Sequence, residues 1–124
     1  MELRPNMYVR IINDIRAICI GIGKIKQINQ ETVYVDMKGN LPISFNKKQI
    51  SKASNDITDL IEPQDLMYID IDPKDGWGGI VVPRIAETLN ELKKWKDRIK
   101  SGECKLVSVT THESIESISY KVGD

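Results

Sequence analysis

The chain holds one histidine, His112, and two cysteines, Cys19 and Cys104. A metal site built on a histidine pair is thereby excluded, and two isolated cysteines cannot form a zinc knuckle. A phosphate loop of the G-x-x-x-x-G-K-[ST] type is missing as well. No apolar run approaches the ~20 residues needed to span a bilayer, the longest patch lying around "AICIGI". The opening "MELRPNMYVR" lacks the apolar stretch of a signal peptide, so a soluble, cytoplasmic protein is expected. Both cysteines sit in apolar segments, "RAICIGI" and "ECKLVSV", and read as reduced, buried thiols. An excess of charge of either sign is also lacking. Lys plus Arg and Asp plus Glu number 18 each, so no overall field draws the chain to nucleic acid or membrane, and neither is expected as a partner.

What is present is ordinary in amount and uneven in placement. A length of 124 residues with 40% hydrophobic content fits one domain, residues 1–124, with a real core. Residues 1–52 carry nine basic and four acidic side chains, whereas residues 56–75 carry seven acidic and one basic. "KKWKDRIK", Lys93 to Lys100, is basic again. Such runs are most often solvated surface, but opposed patches can also serve as docking faces.

The first half reads as short strands. "MYVRII" is followed by "IRAICIGIGKIKQI", in which "GKIKQI" alternates polar and apolar residues with the period of a half-buried strand. "VYVDM" and "LPISF" follow, separated by the turn "KGN". Gly21 and Gly23, two residues apart on one side, suit a sharply bent strand. These features predict a β-rich α+β fold, with a small SH3-like barrel over residues 1–62. Asn46–Leu66 reads as an acidic connector: one helical turn, then an extended "ITDLI" whose Ile57, Leu60 and Ile61 plug the barrel end. Residues 63–124 are expected to add a β-hairpin, one amphipathic helix and closing strands. "LMYIDID" pairs with "GIVVPR" in that hairpin. The helix is placed at Ala86–Lys100, because Ile85, Leu89, Leu92, Trp95 and Ile99 form one apolar stripe with Gly102 as its C-cap. "CKLVSVTT" and "ISYKV" are further strands, with a helical turn at "HESIES" between them. The exposed sheet edges and the Trp95 stripe need covering, so a homo-oligomer is expected.

Catalytic groups do not converge in this sequence. Thr110 and Glu113 flank His112 with the spacing of a capping box, which gives that segment a structural explanation. A Cys104–His112 nucleophile pair has no motif behind it. "DIDPKDG", Asp70 to Gly76, approaches a calcium loop but has one residue too many before its third acid and Val81 where the loop needs glutamate. No catalytic residue, metal or cofactor is expected, and the chain reads as a non-enzyme. A metal-dependent phosphodiesterase using Asp70 and Asp72 is the remaining enzymatic reading.

The hairpin tip "DPKDGWGGIVVPR" is the strongest binding candidate. Trp77 offers a face for stacking on a nucleobase, Gly78 and Gly79 let a ligand approach the backbone, and Arg84 offers a forked guanidinium to phosphate. The bland reading is a turn whose tryptophan covers the end of a small core.

Three segments, "RPNMYVRI…GIGKIKQI", "SKASNDITDLIEPQDLMYID" and "LVSVTTHESIESISYKV", resemble a family of small accessory proteins encoded by phages and prophages of clostridia and related Firmicutes. Gln64 stands where that family usually has glycine, Ser114-Ile115 where it has Gln-Phe, and Lys74–Glu103 departs from its pattern. The resemblance implies a bacterial host cytoplasm during infection or lysogeny, and a role against bacterial defence. One expectation is a protein that sequesters an immune nucleotide signal of the cyclic ADP-ribose or cyclic nucleotide type, as used in Thoeris and CBASS defence. The other is an inhibitor docking on an immune protein, a TIR-domain or CRISPR component, through the acidic connector or the basic helix.

Overall fold

The computed structural model describes residues 2–13, 15, 19–37, 42–73, 79–112 and 119–122. The turn "KGN", the helical turn expected at "HESIES" and the tip residues Trp77 and Gly78 lie outside these.

Five strands make the first antiparallel sheet: β1 (Tyr8–Ile12), β2 (Cys19–Ile28), β3 (Thr32–Asp36), β4 (Ile43–Asn46) and β5 (Ile50–Ser54). Their order is β4-β3-β2-β1-β5. The long β2 pairs with β1 up to Lys24 and with β3 from Lys24 onward, with an irregularity between Ile25 and Gln27. Gly23 sits at this handover. A Cβ there would meet Val35 Cγ1, with Met37 Sδ at 2.6 Å and the Asp36 carbonyl at 2.8 Å. Only glycine lets β3 approach so closely. A 3₁₀ turn at Lys47–Gln49, capped by the Asn46 side chain, then swings the chain back so that β5 pairs with β1. Among the described residues β4 and β5 remain the two edges of an open sheet.

The helical turn after Phe45 forms as the sequence predicts, but β5 is a strand inside the segment expected as the connector. Its sequence, ISKAS, turns only Ile50 fully into the core, so an edge strand with a polar outer side left no alternating signal. "ITDL" is a 3₁₀ turn, not an extended segment, because the Asp56 carboxylate accepts the Thr58 N–H at 3.0 Å and caps it. Ile57, Leu60 and Ile61 are buried.

The second antiparallel sheet contains β6 (Leu66–Asp70), β7 (Val81–Ile85), β8 (Lys105–Thr110) and β9 (Ser119–Lys121), in the order β7-β6-β8-β9. The helix α1 spans Leu89–Lys100. It begins three residues later than the apolar stripe implied, since the Thr88 hydroxyl accepts the Glu91 N–H and fixes the N-cap there. Ile85 therefore belongs to β7 and is exposed, as is Leu89; the inward face consists of Leu92, Trp95 and Ile99. Gly102, at φ 84°, follows the C-cap Ser101.

One core lies along the first sheet and includes Val9, Ile11, Ile25, Val33 and Val35. The other joins the halves: Met67, Ile69, Leu92 and Leu106 pack with Ile22, Ile57 and Leu60 from the N-terminal part. The fold is thus β-rich α+β, with two antiparallel sheets and one α-helix among the described residues. No described helix is long and apolar enough to cross a membrane.

Candidate functional site

The expected pairing of β6 with β7 forms, with Leu66 opposite Ile85 through Asp70 opposite Val81, and the Ile71 N–H extends it by donating to the Ile80 carbonyl at 3.0 Å. Gly79 lies against Asp70, where a Cβ would run into the carboxylate; Asp70 Oδ1 also accepts the Asp72 N–H at 3.0 Å. Arg84 is five residues further along an extended strand, roughly 17 Å away at ~3.4 Å per residue. The structure does not bring Gly79 and Arg84 to one point. Arg84 instead turns toward α1, its guanidinium carbon 6.0 Å from the centroid of the Trp95 ring. Arg98 reaches the same ring at 4.6 Å, with its Nε 3.2 Å from Glu103. Trp95 was assigned to the core stripe, and its second role as a platform for two guanidinia requires knowing that β7 flanks the helix.

On the other flank of α1 a groove of about 510 Å³ opens between the two halves of the chain. Tyr8 contributes its aromatic wall, with Ile57, Ile99, Leu106 and Val122. Asn55, Asp56, Thr58 and Lys105 supply polar groups, and Pro73 and Cys104 complete one side. Tyr8 is held by an edge contact with Tyr120, centroids 5.9 Å apart, and by Lys24 Nζ 5.6 Å from its ring centroid. Pockets of ~300–1,000 Å³ with apolar walls and a few polar groups are the usual form of small-molecule sites. The sequence does not single out this set as a small-molecule site, because its members come from five separate segments.

The acidic connector and the basic helix meet each other. Lys100 Nζ lies 3.2 Å from Asp59 Oδ1 and 3.9 Å from Asp56 Oδ2. The Ser54 hydroxyl, together with Lys100, holds the Asp59 carboxyl below its usual range. Burial pushes the Lys96 amine down. These two regions, expected as docking faces, thus partly neutralise one another inside the chain.

A buried polar centre joins β1 to the turn before β6. Asp65 accepts from Arg10 Nη1 at 2.6 Å, from the Glu62 N–H at 2.9 Å and from the His112 N–H at 3.0 Å, and His112 Nδ1 lies 2.7 Å from Asp65 Oδ1. A carboxylate only accepts, so the facing Nδ1 carries the proton. Burial alone would push the Asp65 carboxyl up, but the bonds from Arg10, Glu62 and His112 hold it below the usual carboxylate range. Cys19 lies near this centre, its thiol pushed up by burial despite the Arg10 charge. The buried Thr111 hydroxyl meets no strong partner and has the Cys19 thiol as its neighbour. Cys104 and His112 stand beyond opposite ends of β8 and form no pair.

Against known proteins the chain matches no family model, no curated protein and no solved structure.

Proposed function

We propose that this chain is a non-enzymatic binding protein of phage origin that sequesters an immune nucleotide signal, of the cyclic ADP-ribose or cyclic nucleotide type. The observation that carries the reading is the groove between the two halves, which has the volume of a small-molecule site and an aromatic ring in its wall. Tyr8 provides a stacking surface worth ~1–3 kcal/mol for a base. Asn55 offers a polar contact to base or ribose, and Lys105 a cation for phosphate. The phage setting and the bacterial cytoplasm rest on the sequence resemblance. An SH3-like barrel is the finer description that the N-terminal half supports, since β2, β3 and β4 form a meander and a 3₁₀ turn returns β5 to β1.

The test begins with extract from cells whose Thoeris or CBASS enzymes are active. Purified protein is added, the downstream effector is assayed, and the assay is repeated after heat denaturation. Signal lost and then recovered supports sequestration, and Lys105→Glu should weaken it. Permanent loss indicates turnover, and no loss removes the reading.

The second reading, an inhibitor that docks on an immune protein, is favoured by a different observation. Of seven exposed large apolar side chains among the described residues, five fall between Ile71 and Leu89. That strip also suits the expected homo-oligomer, and light scattering at several concentrations separates self-association from docking.

A further inference from the structure

Each half of the chain brings a lysine to the groove between them. In the first sheet Lys24 of β2 stands directly across from Tyr8 of β1. Its Nζ lies 5.6 Å from the centroid of the Tyr8 ring, which is itself part of the groove wall. In the second sheet Lys105 opens β8 and lines the groove. Neither ammonium lies within 4.0 Å of a carboxylate among the described residues.

The carboxylates around the groove are engaged elsewhere. Asp56 accepts the Thr58 N–H at 3.0 Å and the Thr58 hydroxyl at 2.8 Å, and its other oxygen lies 3.9 Å from Lys100 Nζ. Asp36, the cross-strand neighbour of Lys24, lies 4.0 Å from Lys26 Nζ. Asp70, across from Lys105, accepts the Asp72 N–H at 3.0 Å. The negative charge of this region is thus met within the chain, and two positive charges, one from each half, are not. An ammonium resting on a tyrosine face is held more weakly than one paired with a phosphate. A base that stacks on Tyr8 takes the place of Lys24 there and releases that cation to an anionic group of the same ligand.

We infer that the groove takes a ligand with two phosphate groups, one met by Lys24 and the other by Lys105, with a base on Tyr8. A single phosphate engages one lysine and leaves the other half of the groove unmatched. Two phosphates engage both and bridge the halves. The site therefore favours a pyrophosphate-bridged or two-phosphate cyclic nucleotide over a cyclic mononucleotide, and Lys24 becomes one of its binding residues. The inference rests on the nucleotide-binding reading of the groove and narrows its ligand class.

The test titrates the full chain by calorimetry with three probes: cyclic ADP-ribose, cyclic di-AMP and cyclic AMP. The first carries a pyrophosphate, the second two separated phosphates and the third a single one. At least one two-phosphate probe is expected to bind ten-fold or more tightly than cyclic AMP, and which of them does so separates the pyrophosphate from the separated arrangement. Lys24→Gln and Lys105→Gln should each weaken that probe about ten-fold and flatten its salt dependence, with thermal melts unchanged. Lys24→Arg keeps the charge and should retain most of the affinity. Cyclic AMP binding as tightly as both other probes overturns the inference while leaving the groove a nucleotide site. Unchanged affinity in Lys24→Gln, or equal loss in Lys24→Arg and Lys24→Gln, overturns the role of that cation. Binding of none of the three removes the inference, and the extract assay then decides the nucleotide reading by itself.

Discussion

Arg10 Nη1 donates to Asp65 Oδ2 at 2.6 Å between two almost wholly buried side chains that lie 55 residues apart in the chain. The bond ties β1 of the first sheet to the turn that opens β6 of the second. Arg10 also donates to the Leu60 carbonyl at 3.0 Å, and Glu62 Oε2 lies 3.4 Å from it. Removing one member strands the other's charge in the interior, which costs about 3–5 kcal/mol. Arg10→Met and Asp65→Leu should each lower the urea midpoint accordingly. The paired replacement should not restore it fully, because the Glu62 and His112 N–H groups then lose their acceptor.

The same carboxylate gives the fold an acid limb. Its folded pKa is held below the unfolded value of about 3.9. The unfolded chain therefore takes up the proton first as pH falls. The contribution is complete above that unfolded value and disappears as pH drops through the folded one. Unfolding measured between neutral pH and strong acid should show stability declining below about pH 4. Asp65→Asn should be weaker at neutral pH, with a flatter acid limb. An identical slope in both proteins would place the acid sensitivity elsewhere.

Gln64 holds φ at 77°, with its N–H donating to the Ala86 carbonyl at 2.8 Å. The left-handed region costs a residue with a Cβ about 1–2 kcal/mol. Glycine avoids that cost but adds freedom to the unfolded chain, about 0.4–1 kcal/mol. Gln64→Gly should therefore stabilise by up to about 1 kcal/mol, and Gln64→Val should destabilise. A loss of stability with glycine would mean that the side chain of Gln64 contributes more than its backbone strain.

Much of the fold was legible because its signals are local. The alternation in "GKIKQI", the pairing of "LMYID" with "IVVPR" and the positive-φ glycine after the helix each depend on a few neighbouring residues. Arg10 shows where this fails. Nothing in "YVRII" marks Arg10 as interior, yet it is buried because a second layer covers its side of β1. The helix start differs from the expected one for a related reason, since the apolar spacing of Ile85 and Leu89 runs straight through the Thr88 cap. The groove was not legible at all. Its wall combines Tyr8, Thr58, Pro73, Leu106 and Val122, which become neighbours only when the two halves pack.

Two glycines should resist alanine for different reasons and in different places. Gly23→Ala would drive a methyl group into Val35 and the main chain at Asp36, neither of which is a free side-chain end. Overpacking of this kind costs about 1–3 kcal/mol, and here it should also loosen the β2–β3 register. Gly102→Ala meets no neighbour and bears only the strain of φ 84°, about 1–2 kcal/mol. Thermal melts of the two variants should agree in direction, but amide exchange should separate them. Gly23→Ala should expose the amides of Val33 and Val35, whereas Gly102→Ala should act only at the end of α1. Protection of β3 unchanged in Gly23→Ala would show that the strand can shift outward without cost, and the glycine would then not be what sets the spacing.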